Sequence, residues 1–375
     1  MLPAPYSHRF SLADVMPSLL ASVRGQDNTL RLPPTRSAIV VVADGLGSHM
    51  LKASGGHARR LAAAAGPKAS IASGFPTTTA SALATLTTGT LPGRHGLVGY
   101  TVLDPAHDRV VNQLSGWEGT LDPLTWQRMP TQFEVAATLS IPSFAVGAAR
   151  YEDSGFTRAV LRGAEFAVGA SIAERLDTAR AHLAAAGGIA YVYVPELDQA
   201  GHRSGWASDR WLTALEDLDS AMARFLAAAP ADEGIILTAD HGMVDVPDRN
   251  HVIVDESSAL REGIRHIAGE PRCLHLHWEP SLGAAQKQHI IQRWREAEES
   301  RSWVVTRDEA IGAGWFGPVD AEVAPRIGDV LIAARKGVAY YTSESAKGRG
   351  MVGQHGSLTG EETMVPLLRF GAFAL

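Results

Sequence analysis

Three continuous apolar runs constrain the fold of this chain more than any other feature. They lie at 37–43 (SAIVVVA), 189–194 (IAYVYV) and 234–239 (GIILTA). None alternates polar with apolar residues, so none suits a sheet with one wet face. Short unbroken runs rich in β-branched residues are what parallel strands covered on both faces require. Each run leads into a carboxylate: Asp44 follows the first directly, Asp240 the third, and Asp198 the second after a short loop through Pro195. In open α/β sheets, ligands bind beyond the carboxyl ends of such strands. The expectation is an α/β fold with acidic groups gathered at one end of a mostly parallel sheet.

The chain has 375 residues, room for one large α/β domain with an insertion or for two domains. A formal charge of −6 gives no sign of a nucleic-acid surface. It also means that a phosphate ligand needs local positive charge, which metal ions supply. The single cysteine, Cys273, excludes an intrachain disulfide. The first 24 residues lack a basic segment followed by an apolar core, and no run reaches the length of a membrane span. A cytoplasmic location is therefore expected, with no membrane span and a small-molecule substrate; the oligomeric state stays open.

Helical patterns separate the strands. Residues 1–36 read as an irregular arm with one short helix at 12–23, and 53–65, 131–139, 171–186 and 206–229 read as helices. Residues 143–147 read as a further strand, 97–103 as an extended segment, and 104–130 as a loop-rich excursion facing the substrate. After residue 250 the segments become shorter and mixed, with strands at 272–278, 302–305 and 329–334 and a helix at 284–299. The division expected is a catalytic core from 1–250, a cap-like α+β insertion at 251–341, and a return to the core at 342–375, where the apolar run 364–370 can rejoin the main sheet. The alternation in CLHLHW (273–278) reads as a half-exposed strand with His275 and His277 on one face.

A different stretch, GFPTTTASAL at 74–83, carries a hydroxyl chemistry. Pro76 fixes the entry and biases Phe75 to an extended conformation. A small-residue helix pattern follows as far as Thr88-Gly89, which places the last threonine near a helix N-terminus. Such a position favours phosphate or sulfate, and its hydroxyl is either a cap or a nucleophile. Thr77, Thr78 and Thr79 all remain open on this ground. Three histidines, His202, His241 and His355, sit close to such carboxylates or in a similar glycine context. Asp198 and His202 are four residues apart and share a face on a helical turn. Asp and His sets with a hydroxyl suit zinc. Six such ligands exceed one tetrahedral ion and suffice for two, a clamp for in-line displacement.

These pieces, taken in order, resemble the alkaline phosphatase superfamily, and within it the nucleotide pyrophosphatase/phosphodiesterase branch. The matching motifs are VADG (42–45), FPTTT (75–79) with TG (88–89) and HG (95–96), PELDQAGHRSG (195–205), TADHGM (238–243) and GQHG (353–356). The resemblance implies a three-layer α/β sandwich with a mostly parallel central sheet. It implies two Zn2+ ions, with Mn2+ an alternative for the same set. Asp198, His202 and His355 would hold one, and Asp44, Asp240 and His241 the other together with Thr79. Thr79 is selected because the family's nucleophile stands ten residues before the glycine of that Thr-Gly, here Gly89. The activity implied is cleavage of a phosphodiester or pyrophosphate in a phosphate ester or nucleotide-like substrate, through a phosphothreonine. The alternatives are a phosphomonoesterase, a phosphoryl transferase or mutase, or an inactive metal-bound binding protein. One departure is plain: the asparagine that helps hold a phosphate oxygen in these enzymes is Ala82 here. Tyr100, Arg94 and Arg150 are candidate substitutes. The Cys-x-Pro-x-Arg signature of sulfatases is absent.

Overall fold

The computed structural model describes residues 2–6, 8–66, 68–343 and 345–374. The three apolar runs are neighbours in a six-stranded sheet, ordered Leu368–Gly371, Glu233–Thr238, Ser37–Ala43, Gly188–Val194, Ser143–Gly147 and Glu165–Val168. Pairing is parallel throughout except at Leu368–Gly371, which runs antiparallel to Glu233–Thr238. The final apolar run thus rejoins the main sheet. Successive residues of a strand point to opposite faces, and Val40, Val41 and Val42 are all fully buried, so both faces are covered. Each such side chain contributes roughly 1.5–3 kcal/mol of hydrophobic stabilisation.

Helices supply the cover. Val15–Val23 packs on the Ser37–Ala43 and Gly188–Val194 strands and against the helices Thr79–Thr88 and Gln132–Thr138. Ile172–Ala186 packs on Gly188–Val194 and Ser143–Gly147 and against Asp209–Ala227. The register sets Ala43 beside Val194 and Val42 beside Thr238, so Asp44, Pro195 and Asp240 leave the sheet at the same end.

The sequence reading needs correction in three places. Residues 53–65 are not one helix: the chain forms Ser48–Ala53 and Arg59–Ala64, parted at Gly55-Gly56, where helical backbone is entropically costly. The excursion at 104–130 is more ordered than expected. Thr101–Asp104 and Arg109–Asn112 form a hairpin at the edge of a second, antiparallel sheet. That sheet continues through Ile264–Glu270, Cys273–Trp278, Val330–Ala334 and Ser302–Thr306. Finally, Cys273–Trp278 is buried on both faces, not half-exposed. Leu274 and Leu276 pack into a core with Ile290 and Trp294. On the other face His275 meets Phe316 edge-on and its Nδ1 accepts the Gly328 N–H at 3.3 Å. Burial, aided by Arg307, brings His275 down to about 3, and burial with His275 beside it does the same to His277.

Candidate metal centre and its cavity

The site is built where the parallel strands end. Asp44 follows its strand directly, and Gly45 then turns at φ +75°; a Cβ there would lie 3.1 Å from the Asp198 Cα, so this turn approaches the Asp198 backbone closely because Gly45 has no side chain. Asp198 and His202 lie on the helix Glu196–Ser204, which brings His202 Nε2 to 3.2 Å from Asp198 Oδ1. His355 stands 3.8 Å from the same oxygen. His241 Nε2 lies 3.5 Å from Asp44 Oδ1 and 3.5 Å from Asp240 Oδ2. Asp198, His202 and His355 form one cluster whose ligand atoms all fall within 4.8 Å, and Asp44, Asp198 and His241 form a second. All six expected groups therefore converge, with Asp198 facing both clusters and Asp240 completing the side of His241.

Proton positions follow from the surrounding bonds. His202 Nδ1 is 2.7 Å from the Gly353 carbonyl, and His355 Nδ1 is 2.7 Å from the Thr77 carbonyl. A carbonyl only accepts, so in the neutral ring each Nδ1 carries the proton and each Nε2 presents a lone pair. The two Nε2 atoms nevertheless face each other at 3.2 Å. Three buried carboxylate oxygens, Asp44 Oδ1, Asp198 Oδ1 and Asp240 Oδ2, have no hydrogen-bond partner. Their sister oxygens are partly engaged: Asp44 Oδ2 accepts from the Tyr193 hydroxyl, and Asp240 Oδ1 accepts the Gly45 N–H at 3.1 Å and the His241 N–H at 3.0 Å. Opposed lone pairs and orphaned carboxylate oxygens are what divalent cations satisfy, and the nitrogen and oxygen donors fit zinc or manganese. Burial, then Asp198 and Asp240, push the Asp44 carboxyl well above its usual range. Burial also raises Asp198, against the pull of His202 and His241. Burial and the neighbouring His241 and His202 hold His355 far below an ordinary imidazole.

The threonines separate by role. Thr78 is the extended N-cap residue of the helix Thr79–Thr88, after a cis Phe75–Pro76 peptide. Thr79, the first helical residue, places Oγ1 3.2 Å from His241 Nε2. Thr77 is fully buried and spent on structure: its hydroxyl donates to the Ser357 carbonyl at 2.8 Å and accepts the Gly356 N–H at 2.9 Å. It thereby fastens the His355 loop. His95 orders its own loop, bonding Thr85 Oγ1 at 3.0 Å and accepting the Leu97 N–H at 3.1 Å.

A cavity of about 590 Å³ opens above the cluster. Asp44, Thr79, Asp198, His202 and His355 form its floor, and Tyr151, Phe156, Phe166 and Tyr193 line one wall. Of the proposed substitutes for the missing asparagine, Tyr100 lines the cavity. Arg94 does not: it is paired with Asp320 at 2.7 Å. Arg150 lies over the Tyr151 ring at 4.6 Å, outside the lining. Ala82 is buried within its helix. Sequence reasoning missed Tyr193, whose only signal was a hydroxyl near the end of an apolar strand, and Glu270, which lines the cavity from the second sheet.

The overall architecture is shared with solved structures. Murine ectonucleotide pyrophosphatase/phosphodiesterase 5 superposes with a TM-score of 0.68 at 15% identity, over 89% of this chain and 88% of that one. A form of the murine protein inactivated by a threonine-to-alanine change, in complex with AMP, gives 0.68 at 14% identity over 90% and 88%. Phosphonoacetate hydrolase from Sinorhizobium meliloti 1021, in complex with phosphonoacetate, gives 0.66 at 18% identity over 90% and 91%. No curated protein matches the chain in sequence. Residues 38–358 match the family described as type I phosphodiesterase / nucleotide pyrophosphatase. The chain belongs to that family, within the alkaline phosphatase superfamily.

Proposed function

We propose that this protein is a metal-dependent phosphodiesterase that works through a phosphothreonine on Thr79. The observation that carries this reading is the convergence, in and next to one cavity floor, of facing imidazole lone pairs, three unpartnered carboxylate oxygens and a hydroxyl at a helix N-terminus. Asp198, His202 and His355 would hold one ion, and Asp44, Asp240 and His241 the other. Divalent ions bound there supply Lewis-acid stabilisation of phosphoryl charge and lower the pKa of an oxygen nucleophile. Tyr193 orients Asp44, while the Gly353 and Thr77 carbonyls fix the tautomers of His202 and His355. Thr79 Oγ1 bonds to phosphorus as the bond to the leaving oxygen breaks. The hydroxyl proton passes to solvent, and the departing oxygen takes one up. The N-terminal amides and dipole of the Thr79–Thr88 helix favour the anion that forms there. Water then cleaves the phosphothreonine and restores the hydroxyl.

The test compares a chromogenic phosphodiester with the matching monoester on metal-loaded protein, with elemental analysis. Expected are two ions per chain and faster turnover of the diester. A strong preference for the monoester would instead make the protein a phosphatase.

A further inference from the structure

We propose that Tyr6 is a positioning residue for Thr79: from an arm that precedes the parallel core, it fixes the turn that aims the nucleophile. The inference rests on the reading of Thr79 as the nucleophile and adds what holds it in place.

The turn at 74–79 is anchored at its two ends. Ahead of it, the Ala72 N–H donates to the Phe10 carbonyl at 3.1 Å and the Ser73 N–H to the Thr363 carbonyl at 2.7 Å. Beyond Pro76, the Thr77 hydroxyl is bonded to the His355 loop. Gly74 and Phe75 lie between these anchors. The bond shown for the Phe75 N–H is to the Tyr6 hydroxyl oxygen, at 3.4 Å. Gly74 adopts φ +105°, and a Cβ there would lie 2.7 Å from that oxygen and 2.8 Å from Tyr6 Cε1. The Tyr6 ring therefore fills the space that a side chain at 74 would need, and close packing bars the turn from moving into it. The hydrogen bond is long, so contact with the ring carries most of the restraint.

The Phe75 side chain is held by the same arm. It is 1% exposed and meets Trp315 and Phe316 edge-on, with ring centroids 4.9 and 5.2 Å away. Trp315 Nε1 donates to the Pro3 carbonyl at 3.0 Å. Residues 2–6 thus brace both the backbone of the turn and the rings packed on it. They lie outside the stretch 38–358 matched to the family. Pro76 has a fixed φ, so the direction set at Phe75 is passed on toward Thr79. A nucleophile misplaced by about 1 Å costs about 100-fold in rate, even when the change is remote from the chemistry. Tyr6 does not line the cavity, so its loss should disturb aim and spare substrate binding.

The experiment uses the full chain, zinc-loaded, with bis-p-nitrophenyl phosphate. Tyr6→Phe keeps the ring and drops the acceptor; Tyr6→Ala drops both. The expected fall in kcat is about 3-fold for the first and about 30-fold for the second, with KM within about 2-fold and both ions bound. Vanadate and phosphate, compared as inhibitors, separate aim from stability. Vanadate mimics in-line attack by taking the Thr79 oxygen as an apical ligand, whereas tetrahedral phosphate needs only the ions. Tyr6→Ala should weaken vanadate inhibition about 10-fold and leave phosphate inhibition unchanged, as for a loss confined to the transition-state geometry. An arm that only stabilises the fold would lower Tm and leave the ratio of the two inhibition constants as it was. That unchanged ratio, or ions lost together with activity, overturns the inference. If the unaltered protein hydrolyses p-nitrophenyl phosphate but not the diester, the diesterase reading falls and the same variants test Tyr6 on the monoester. Hydrolysis of neither overturns both.

Discussion

At the scale of single residues, the site depends on which hydroxyls are free. Thr77 and Thr79 are two positions apart, yet one is consumed by backbone bonds and the other touches His241. Thr79→Ala should therefore lower kcat by at least about three orders of magnitude, near 4 kcal/mol at the transition state, while leaving two ions bound. Kinetics and elemental analysis on the same preparation check this; lost metal with lost activity would make Thr79 a ligand only. Tyr193→Phe removes the one hydrogen bond shown to Asp44 Oδ2. Metal affinity should fall about 10–100-fold, as for other residues that orient a ligand. A competitive chelator titration measures it, and unchanged affinity would reduce Tyr193 to a wall residue.

At the scale of elements, the site is held by loops fastened to one another. The His355 loop is tied to the threonine turn three times, through His355 Nδ1 to the Thr77 carbonyl and through both bonds of the Thr77 hydroxyl. Thr77→Val keeps the shape and strands the Gly356 N–H and Ser357 carbonyl. The loss should be about 1–3 kcal/mol of stability, the cost of unsatisfied buried groups, together with weaker metal binding. Denaturant unfolding and metal titration read the two effects; a stable variant with full affinity would show that the loop is held by something else.

At the scale of the whole molecule, the second sheet is coupled to the core through Arg272 and Glu362. Both are fully buried and joined by two bonds of 3.0 and 2.7 Å. Glu362 also accepts the Ser357 N–H at 3.0 Å, so this pair supports the His355 loop. Arg272→Ala should destabilise the protein by about 3–5 kcal/mol, because it leaves a buried charge uncompensated. Stability should also depend on pH in a way that Glu270 reports. Its carboxyl titrates at about 8 in the fold against an ordinary 4.5. Between those values the native state keeps a proton that the unfolded chain has lost, so Glu270's contribution falls as pH rises. In metal-free protein, the Tm of Glu270→Gln relative to the unaltered chain should therefore climb from pH 5 to pH 8. A flat difference would mean that Glu270 is already paired. His275 and His277 act with the opposite sign: both sit near 3 instead of 6.5, so their contribution is lost as the solution is acidified below about 6.5.

The sequence by itself determined the parallel core and the candidate ligand set. Unbroken apolar runs have one economical use, a strand covered on both faces, and a carboxylate at the end of such a run must leave the sheet at its edge. Asp44, Asp198 and Asp240 were legible for that reason, and the motifs around Thr79, His202, His241 and His355 supplied the rest. Tertiary structure alone decided what the local pattern could not carry. The alternation at 273–278 describes one strand's faces but not what packs on them, and so His275 and His277 proved buried. Short strands such as Thr101–Asp104 gain their definition from a partner distant in sequence, Gly269 opposite Thr101. The cavity above the cluster is drawn from separate segments between Asp44 and His355, and no local signal marks Glu270 or Tyr193 as members. Their roles depend on which groups the fold brings within hydrogen-bonding reach, and on the burial that leaves the Glu270 carboxylate without a counter-charge.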